Sequence, residues 1–323
     1  LLRVDAPGIE EVHEAIERCM GDGGVYLVAC DGDKVVGSIG VSRMRRSGCH
    51  HVGVLWMMVH REYRGRGFGT QLLQAALEEC GRQGIWRVEL SVYPRNTAAV
   101  KMYHAAGFEE EGRTIRGRLL DGVEDAFLDM ALLLESRPRP GSDPKYLPPR
   151  KAGGTALPRS VEIVPVELRH AAELRAMVNK VARERRWIAM VNGPDLAATK
   201  EFIKQNLQEG NPHLVATDGD TVIGVIDITR MPRKGQRHIG YLGMCLDSKY
   251  RGMGLGGMLL ESALSWSAKE GLLQIHLDFW ASNLAAKSLY LKHEFKLVRC
   301  KRRMRVIDGY EDDLIGMQKM LDE

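Results

Sequence analysis

Apolar positions along the chain form a series of short runs and helical stripes, and the series occurs twice. In its first occurrence, Val25–Ala29 and Val35–Val41 are apolar runs joined at Asp31-Gly32, a dipeptide that favours a tight hairpin turn. His51–Val59 follows as a strand and leads into a glycine-rich segment. Beyond it, Leu72, Leu73, Ala76 and Leu77 recur at the spacing of one helix face. Val88–Val92 predicts another strand, Thr97–Ala105 a short helix, and Asp121-Gly122 the turn of a last hairpin. The second occurrence has its hairpin turn at Asp218-Gly219 and a helix face at Leu259, Leu260, Ala263 and Leu264. A strand at Ile275–Phe279, a helix at Leu284–Lys292 and a turn at Asp308-Gly309 complete it. Each series predicts a mixed α/β unit around one central sheet.

The two series keep one spacing. Leu27–Gly37 reads LVACDGDKVVG and recurs at Leu214–Gly224 as LVATDGDTVIG, an offset of 187 (214 minus 27). The same offset carries Arg64–Gly69 onto Arg251–Gly256, Asn96 onto Asn283, and Tyr103 onto Tyr290. Solenoid units run to about 20–50 residues, so a repeat of this length is a duplicated domain. Residues 136–160 hold Pro138, Pro140, Pro144, Pro148, Pro149 and Pro158, which interrupt helices and strand ladders, and so predict a linker. The expected organisation is a domain over 1–135, the linker over 136–160 and a second domain over 161–323. The second domain opens with a strand at Val161–Val164 and a helix at His170–Arg186, striped by Leu174, Met177, Val178 and Val181. Moved back by the offset, both would precede Leu1. The first domain is therefore expected to lack its opening strand and helix, as a truncated N-terminus would, and the sequence does not begin with Met.

Bulk properties narrow the function classes. A length of 323 residues fits two domains of about 100–200 each. A net charge of +4 suits an anionic small ligand, but without a basic stripe interleaved with aromatics it does not argue for nucleic acid. Six scattered cysteines, with no C-x-x-C pair and no histidine at metal spacing, argue against a disulfide framework and against structural zinc. No metal is expected, and a reducing, cytoplasmic setting fits. No apolar run approaches the roughly 18–20 residues of a membrane helix, so no membrane partner is expected.

The chemistry concentrates at the glycine-rich segments. Arg64, Gly65, Arg66, Gly67, Phe68, Gly69 and Thr70 lie between a strand and a helix; Arg251, Gly252, Met253, Gly254, Leu255, Gly256 and Gly257 are their counterparts. Glycines let backbone approach a ligand closely, and a helix start offers free N–H groups and a positive dipole end. Together they predict a phosphate or pyrophosphate cradle, with Arg64 and Arg251 adding charge. The Walker pattern is absent. The dinucleotide pattern G-x-G-x-x-G is met only by Gly252, Gly254 and Gly257, because the first loop has Thr70 at its last position.

The runs Val59–Leu73 and Leu246–Leu260 resemble the acetyl-CoA motif of the GNAT superfamily of N-acetyltransferases. Downstream, Asn96-x-x-Ala99-x-x-x-Tyr103-x-x-x-Gly107-Phe108 is similar to the family's second signature, and copy two matches it except that Glu294 replaces the glycine. The resemblance covers nearly the whole chain outside the linker and implies two GNAT acyl-CoA N-acyltransferase-like domains in tandem. It implies an enzyme that transfers acetyl from acetyl-CoA to a primary amine of a small molecule, an amino acid among the candidates. Protein N-termini or lysines are the alternative acceptors, and a CoA-binding regulatory protein with one or both domains catalytically inactive is the alternative class.

The resemblance also assigns residues. The loops would hold the pyrophosphate. Backbone around Met57–Val59 and Met244–Leu246, with Met58, Val59, Cys245 and Leu246 at the centre, would meet the pantetheine and the oxyanion. Tyr103 and Tyr290 would be general acids, since a phenol of pKa about 10 stays protonated at neutral pH and can serve a thiolate of pKa about 8.5. Asn96 and Asn283 would bind CoA, though Asn is also a preferred helix cap. Relatives often place a base glutamate where this chain has Val54 and Tyr241, which leaves His51, His238, Glu89, His276 or a water chain for that role. Arg116 and Arg118, with Arg303 and Arg305, sit two apart on predicted strands; Arg116 or Arg303 is a candidate for an acceptor carboxylate, and cross-strand pairing of Arg118 with Asp125 and Arg305 with Asp312 is the structural alternative. The two domains are expected to form a pseudo-dimer within a monomeric chain.

Overall fold

The computed structural model describes residues 9–134 and 156–321. Two compact units emerge, the described parts being 9–116, 125–134 and 301–311 for the first, and 117–124, 156–300 and 312–321 for the second.

The first repeat contributes helix α1 (Ile9–Gly21), the antiparallel strands β1 (Val25–Asp31), β2 (Lys34–Arg43) and β3 (Val52–Val59), helix α2 (Phe68–Arg82), strand β4 (Arg87–Val92), helix α3 (Thr97–Ala105) and the hairpin β5 (Glu109–Leu120) and β6 (Val123–Leu133). Its strand order is β1-β2-β3-β4-β6-β5. The α2 stripe of Leu72, Leu73, Ala76 and Cys80 packs against Ile39, Val41, Leu55 and Val88 of the sheet in one buried core. Fully burying a leucine-sized side chain contributes about 1.5–3 kcal/mol, so this stripe fixes where α2 lies.

In the second repeat come β7 (Val161–Pro165), α4 (Ala171–Arg183), α5 (Leu196–Gln208), β8 (His213–Asp218), β9 (Thr221–Arg230), β10 (Ile239–Leu246), α6 (Leu255–Lys269), β11 (Gln274–Trp280), α7 (Leu284–Lys292), β12 (Lys296–Ile307) and β13 (Tyr310–Met320). The order is β7-β8-β9-β10-β11-β13-β12. Both faces of this sheet are covered. Ile226 and Ile228 of β9 belong to the core with Leu259, Leu260 and Ala263 of α6, whereas Val225 packs with Leu174, Met177 and Val181 of α4 and Ile203 of α5. Side chains alternate across a strand, so Asp227 shares the face of Val225.

The predicted elements are present, with ends shifted by a few residues. The opening helix of the second repeat runs over Ala171–Arg183 after a short 3-10 turn, Leu168–His170, and so ends three residues before the predicted Arg186. Helices α1 and α5, related by the same offset, were not legible in the apolar pattern. Among the described residues of the first repeat, nothing corresponds to β7 and α4. Of the predicted linker, 136–155 lie outside the described residues; Leu157 packs against the core around α6, and Ser160 Oγ donates to Asp218 Oδ1 at 2.5 Å. Arg116 and Arg303 are left-handed, with φ of 49° and 52°. That interrupts the pleat, so residues two apart across these points cannot be assigned one face.

Candidate active site

In each repeat two parallel strands begin as partners and then separate. Strand β3 pairs with β4 at Val52–Arg87, Gly53–Val88 and Val54–Glu89, and β10 pairs with β11 at Ile239–Gln274, Gly240–Ile275 and Tyr241–His276. On the other side β3 stays paired with β2 to Val59, and β10 with β9 to Leu246. Alternate backbone groups of Leu55–Val59 and Leu242–Leu246 therefore face an open fork with no strand opposite. These segments include Met58, Val59, Cys245 and Leu246.

Each fork runs into a loop whose first arginine is tied back to the strand. Arg64 Nε donates to Val59 O at 3.1 Å, and Arg251 Nε donates to Leu246 O at 3.0 Å. The loop then needs left-handed backbone: φ is 74° at Gly65 and 87° at Gly67, and 79° and 89° at Gly252 and Gly254. Gly67 and Gly254 are the N-caps of α2 and α6 and supply no side-chain cap. The first N–H groups of both helices are thus left for a ligand. A Cβ at Gly65 or Gly254 would meet no atom within 4 Å, so the space over these two glycines is open rather than packed. Gly69 and Gly256 differ: their virtual Cβ atoms lie 3.3 Å from Met102 Sδ and from Leu289 Cδ2, and they seat the loop helix against α3 and α7. Backbone N–H groups at a helix start suit an anion such as a pyrophosphate; among the described residues no group of three or more His, Cys, Asp or Glu stands as a metal site.

The two loop arginines differ in engagement. Arg251 makes two bonds of 2.7 Å to the carboxylate of Glu184 and lies over the Trp187 ring, whose Nε1 also donates to Glu184. Arg64 has no acidic partner among the described residues. A pocket of about 390 Å³ lies along α4, lined by Arg175, Asn179, Lys180 and Arg183; Lys180 Nζ reaches Asp247 Oδ2 at 2.6 Å.

Tyr103 and Tyr290 sit on α3 and α7 with rings buried against Phe108 and Phe295. Neither hydroxyl has a hydrogen-bond partner among the described residues, yet neither is among the sealed, unsatisfied polar atoms. Burial pushes the Tyr103 phenol up to about 12 and raises Tyr290 as well, so both keep their protons at neutral pH. Asn96 and Asn283 cap α3 and α7, accepting from Ala99 N at 3.4 Å and Ala286 N at 3.1 Å. The cap occupies Oδ1 and leaves Nδ2 for a ligand.

The base candidates fare worse. His51 is stacked on Trp86, Nε2 lies 3.0 Å from Arg303 O, and burial lowers its pKa. It and His238 stand at the paired ends of β3 and β10, away from the forks. Glu89 is buried: burial pushes its carboxyl up, but Lys301 and Arg87 outweigh that and hold it ionised below the usual range. His276 is buried and pushed down to about 4. Val54 is exposed, and the Tyr241 hydroxyl donates to Asp278, which also receives Arg299 at 2.7 Å. Arg303 is not available to an acceptor: it is buried, bound to both Glu311 oxygens at 2.6 Å, and lies over Trp86. Asp125 receives Arg95 at 2.5 Å, and Asp312 accepts from Ser282 Oγ at 2.6 Å. Sequence reasoning missed Asp227, a half-buried carboxylate on β9 that burial pushes up to about 7.

Comparison with known proteins identifies the family. The family model for the acetyltransferase (GNAT) family matches twice, at residues 2–108 and 179–295. The L-amino acid N-acetyltransferase AaaT of Escherichia coli is 35% identical over 98 residues, covering 30% of this chain and 60% of that protein. The N-alpha-acetyltransferase RimI of Mycobacterium tuberculosis is 33% identical over 99 residues, covering 31% and 61%. The chain thus spans about three-fifths of these relatives' length. A crystal structure of a GNAT-family acetyltransferase from Streptococcus pneumoniae has a TM-score of 0.47 and 29% identity, covering 50% of this chain and 98% of that one. A GNAT superfamily phosphinothricin acetyltransferase from Sinorhizobium meliloti, in complex with AcCoA, has a TM-score of 0.48 and 16% identity, covering 50% and 88%. With the family pattern matched once in each repeat, the chain belongs to the GNAT acetyltransferase family.

Proposed function

We propose that the chain is an acyltransferase that moves an acetyl group from acetyl-CoA to a primary amine of a small molecule, with an amino acid as the foremost class. The observation that carries this reading is the strand fork ending in an open, left-handed glycine cradle at a helix start, in both repeats. The name of the Escherichia coli relative supports an amino-acid acceptor. The N-alpha-acetyltransferase relatives favour a second reading, a protein N-terminus, which presents a primary amine on a longer chain. A cytoplasmic setting suits either acceptor; among the described residues no helix is long and apolar enough to cross a membrane.

Acetyl-CoA, when bound, supplies an activated thioester carbonyl. Gly65–Thr70 and Gly252–Gly257 hold the pyrophosphate with backbone N–H groups, and Arg64 and Arg251 add charge. Unpaired N–H groups on the fork edges of β3 and β10 orient the pantetheine and steady charge on the carbonyl oxygen. Tyr103 and Tyr290 retain the proton that a leaving thiolate needs, and Asn96 and Asn283 offer their amide nitrogens to the ligand. The chain acts as a monomer; a sedimentation mass of two chains would contradict that.

Calorimetric titration of acetyl-CoA tests the reading. Two sites per chain are expected; no binding would overturn it. Tyr290→Phe separates an enzyme from a CoA sensor: turnover is expected to fall about 100-fold with acetyl-CoA affinity kept. An unchanged rate would remove Tyr290 from the chemistry.

A further inference from the structure

We propose that Asp227 accepts the proton of the attacking amine in the second repeat, and that the first repeat lacks this group because the indole of Trp56 fills the same place. The inference rests on the acetyltransferase reading above.

Both repeats build one rung of sheet from a glycine and a larger side chain lying over it, with the roles exchanged. In the second repeat Asp227 of β9 is paired with Gly243 of β10; in the first, Gly40 of β2 is paired with Trp56 of β3, the same positions by the offset of 187 (227 minus 40). A Cβ on Gly243 would stand 3.0 Å from Asp227 Oδ1, and a Cβ on Gly40 would stand 2.5 Å from the Trp56 ring. Gly243 thus leaves room for a carboxylate over the strand, and Gly40 leaves room for an indole.

The rung lies within the fork. Gly243 comes two residues after the last parallel pair, Tyr241–His276, and two before Cys245. It is therefore next to the backbone that would orient the thioester. Asp227 faces the α4 and α5 side, where Thr229 Oγ1 donates to Oδ2 at 3.3 Å. Among the described residues no Lys, Arg or His pairs with it. A half-buried carboxylate without a cation costs the fold free energy, and such a cost concentrates at functional sites.

The groups around it leave it as the only titrating carboxyl on its rung. Opposite it on β8, His213 is pushed down to about 4 by burial and is neutral. Cys245 on β10 is pushed up to about 12 by burial and is also neutral. Glu184, after α4, and Arg251, in the loop, neutralise one another, and Tyr241 and Arg299 both engage Asp278. The faces of α4 and α5 packed on this side present Leu174, Met177, Val181, Ile203 and the neutral Asn206. Burial pushes the Asp227 carboxyl up to about 7, suited to taking a proton at neutral pH.

The step balances. The amine nitrogen forms a bond to the acetyl carbon as the carbon–sulfur bond breaks, and its proton passes to Asp227. The departing sulfur keeps the bonding pair and takes the Tyr290 hydroxyl proton. Asp227 then releases its proton to water, and Tyr290 regains one.

The test is Asp227→Asn in the full chain, with Asp227→Glu as the conservative control. For Asp227→Asn, turnover is expected to fall about 100-fold, with the rise of kcat/KM through neutral pH lost and acetyl-CoA affinity by calorimetry kept within about twofold of the starting protein. Asp227→Glu is expected to recover part of the rate and the pH-dependent rise. A second readout does not depend on turnover. Because the folded pKa is raised, ionising Asp227 opposes folding, so stability falls as pH rises from about 4 through 7. The Asn variant is expected to melt above the starting protein at pH 8 and to lose that advantage near pH 4. Full turnover with an unchanged pH profile, while acetyl-CoA still binds, would overturn the inference alone. Failure of the unmodified chain to bind acetyl-CoA would overturn both it and the acetyltransferase reading.

Discussion

The two repeats share a fork and a glycine cradle, but what surrounds the fork is different in each. At the paired end of the first fork, Arg87 is fully buried, bound to Glu111 at 2.5 and 2.9 Å and to Glu89 at 3.0 Å. The second repeat has Gln274 and His276 at the positions of Arg87 and Glu89, both neutral and buried. Within the fork the contrast reverses, an indole over Gly40 in the first repeat and a carboxylate over Gly243 in the second. A duplicated scaffold can thus keep its coenzyme cradle fixed by backbone while its side chains diverge, because the cradle depends on φ and on N–H groups rather than on side-chain identity.

Breaking the charge cluster gives the largest effect. Arg87→Ala leaves Glu111 and Glu89 without their buried guanidinium and is expected to cost the first unit about 3–5 kcal/mol. Gln274→Ala, the matching change, should cost about 1–3 kcal/mol. Urea unfolding monitored unit by unit checks the ratio, and equal losses would erase this contrast. Glu89 is held below the ordinary carboxylate range, so its contribution is present at neutral pH and is lost as pH falls through its folded pKa.

A smaller effect separates the loops. Glu184 occupies Arg251, whereas Arg64 has no such competitor among the described residues. Glu184→Gln is expected to tighten acetyl-CoA at the second loop by about fivefold, or roughly 1 kcal/mol. Calorimetry on the variant decides; unchanged or weaker binding would mean that Glu184 positions Arg251 rather than competing with the pyrophosphate. An effect of similar size concerns the end of α7. Glu294 takes the left-handed conformation, φ 64°, that Gly107 takes at 90° in the first repeat, and its exposed carboxylate pairs with Lys319. Glu294→Gly is expected to raise stability by about 1 kcal/mol with turnover unchanged. Thermal unfolding checks this, and a loss would show that the Lys319 pair outweighs the backbone strain.

Much of this fold was legible because it follows local rules. The hairpin turns, the α2 and α6 stripes and the glycine loops all announce themselves within a dozen residues, and the constant offset joined them into two units. Helix α5 did not, because its buried positions include Thr199 and Asn206 beside Ile203, so no apolar stripe marks it. Helix α1 buries little beyond Cys19. In the candidate site, Tyr103, Tyr290, Asn96 and Asn283 could be named from the sequence because the motif fixes their spacing. His51 and His238, the histidines just before the loop strands, stand at the closed end of the forks. Asp227 escaped because in sequence it is one polar residue in an alternating strand; only the cross-strand register sets it over Gly243.

The most direct measurement is acetyl transfer to a panel of free amino acids by the Gly67→Glu and Gly254→Glu variants. Each change forces a side chain and a negative charge onto a left-handed N-cap, at φ 87° and 89°, where the pyrophosphate is expected. Gly254→Glu is expected to abolish turnover and remove one acetyl-CoA site, while Gly67→Glu removes the other site and leaves most of the turnover. Turnover lost with Gly67→Glu and kept with Gly254→Glu would contradict this.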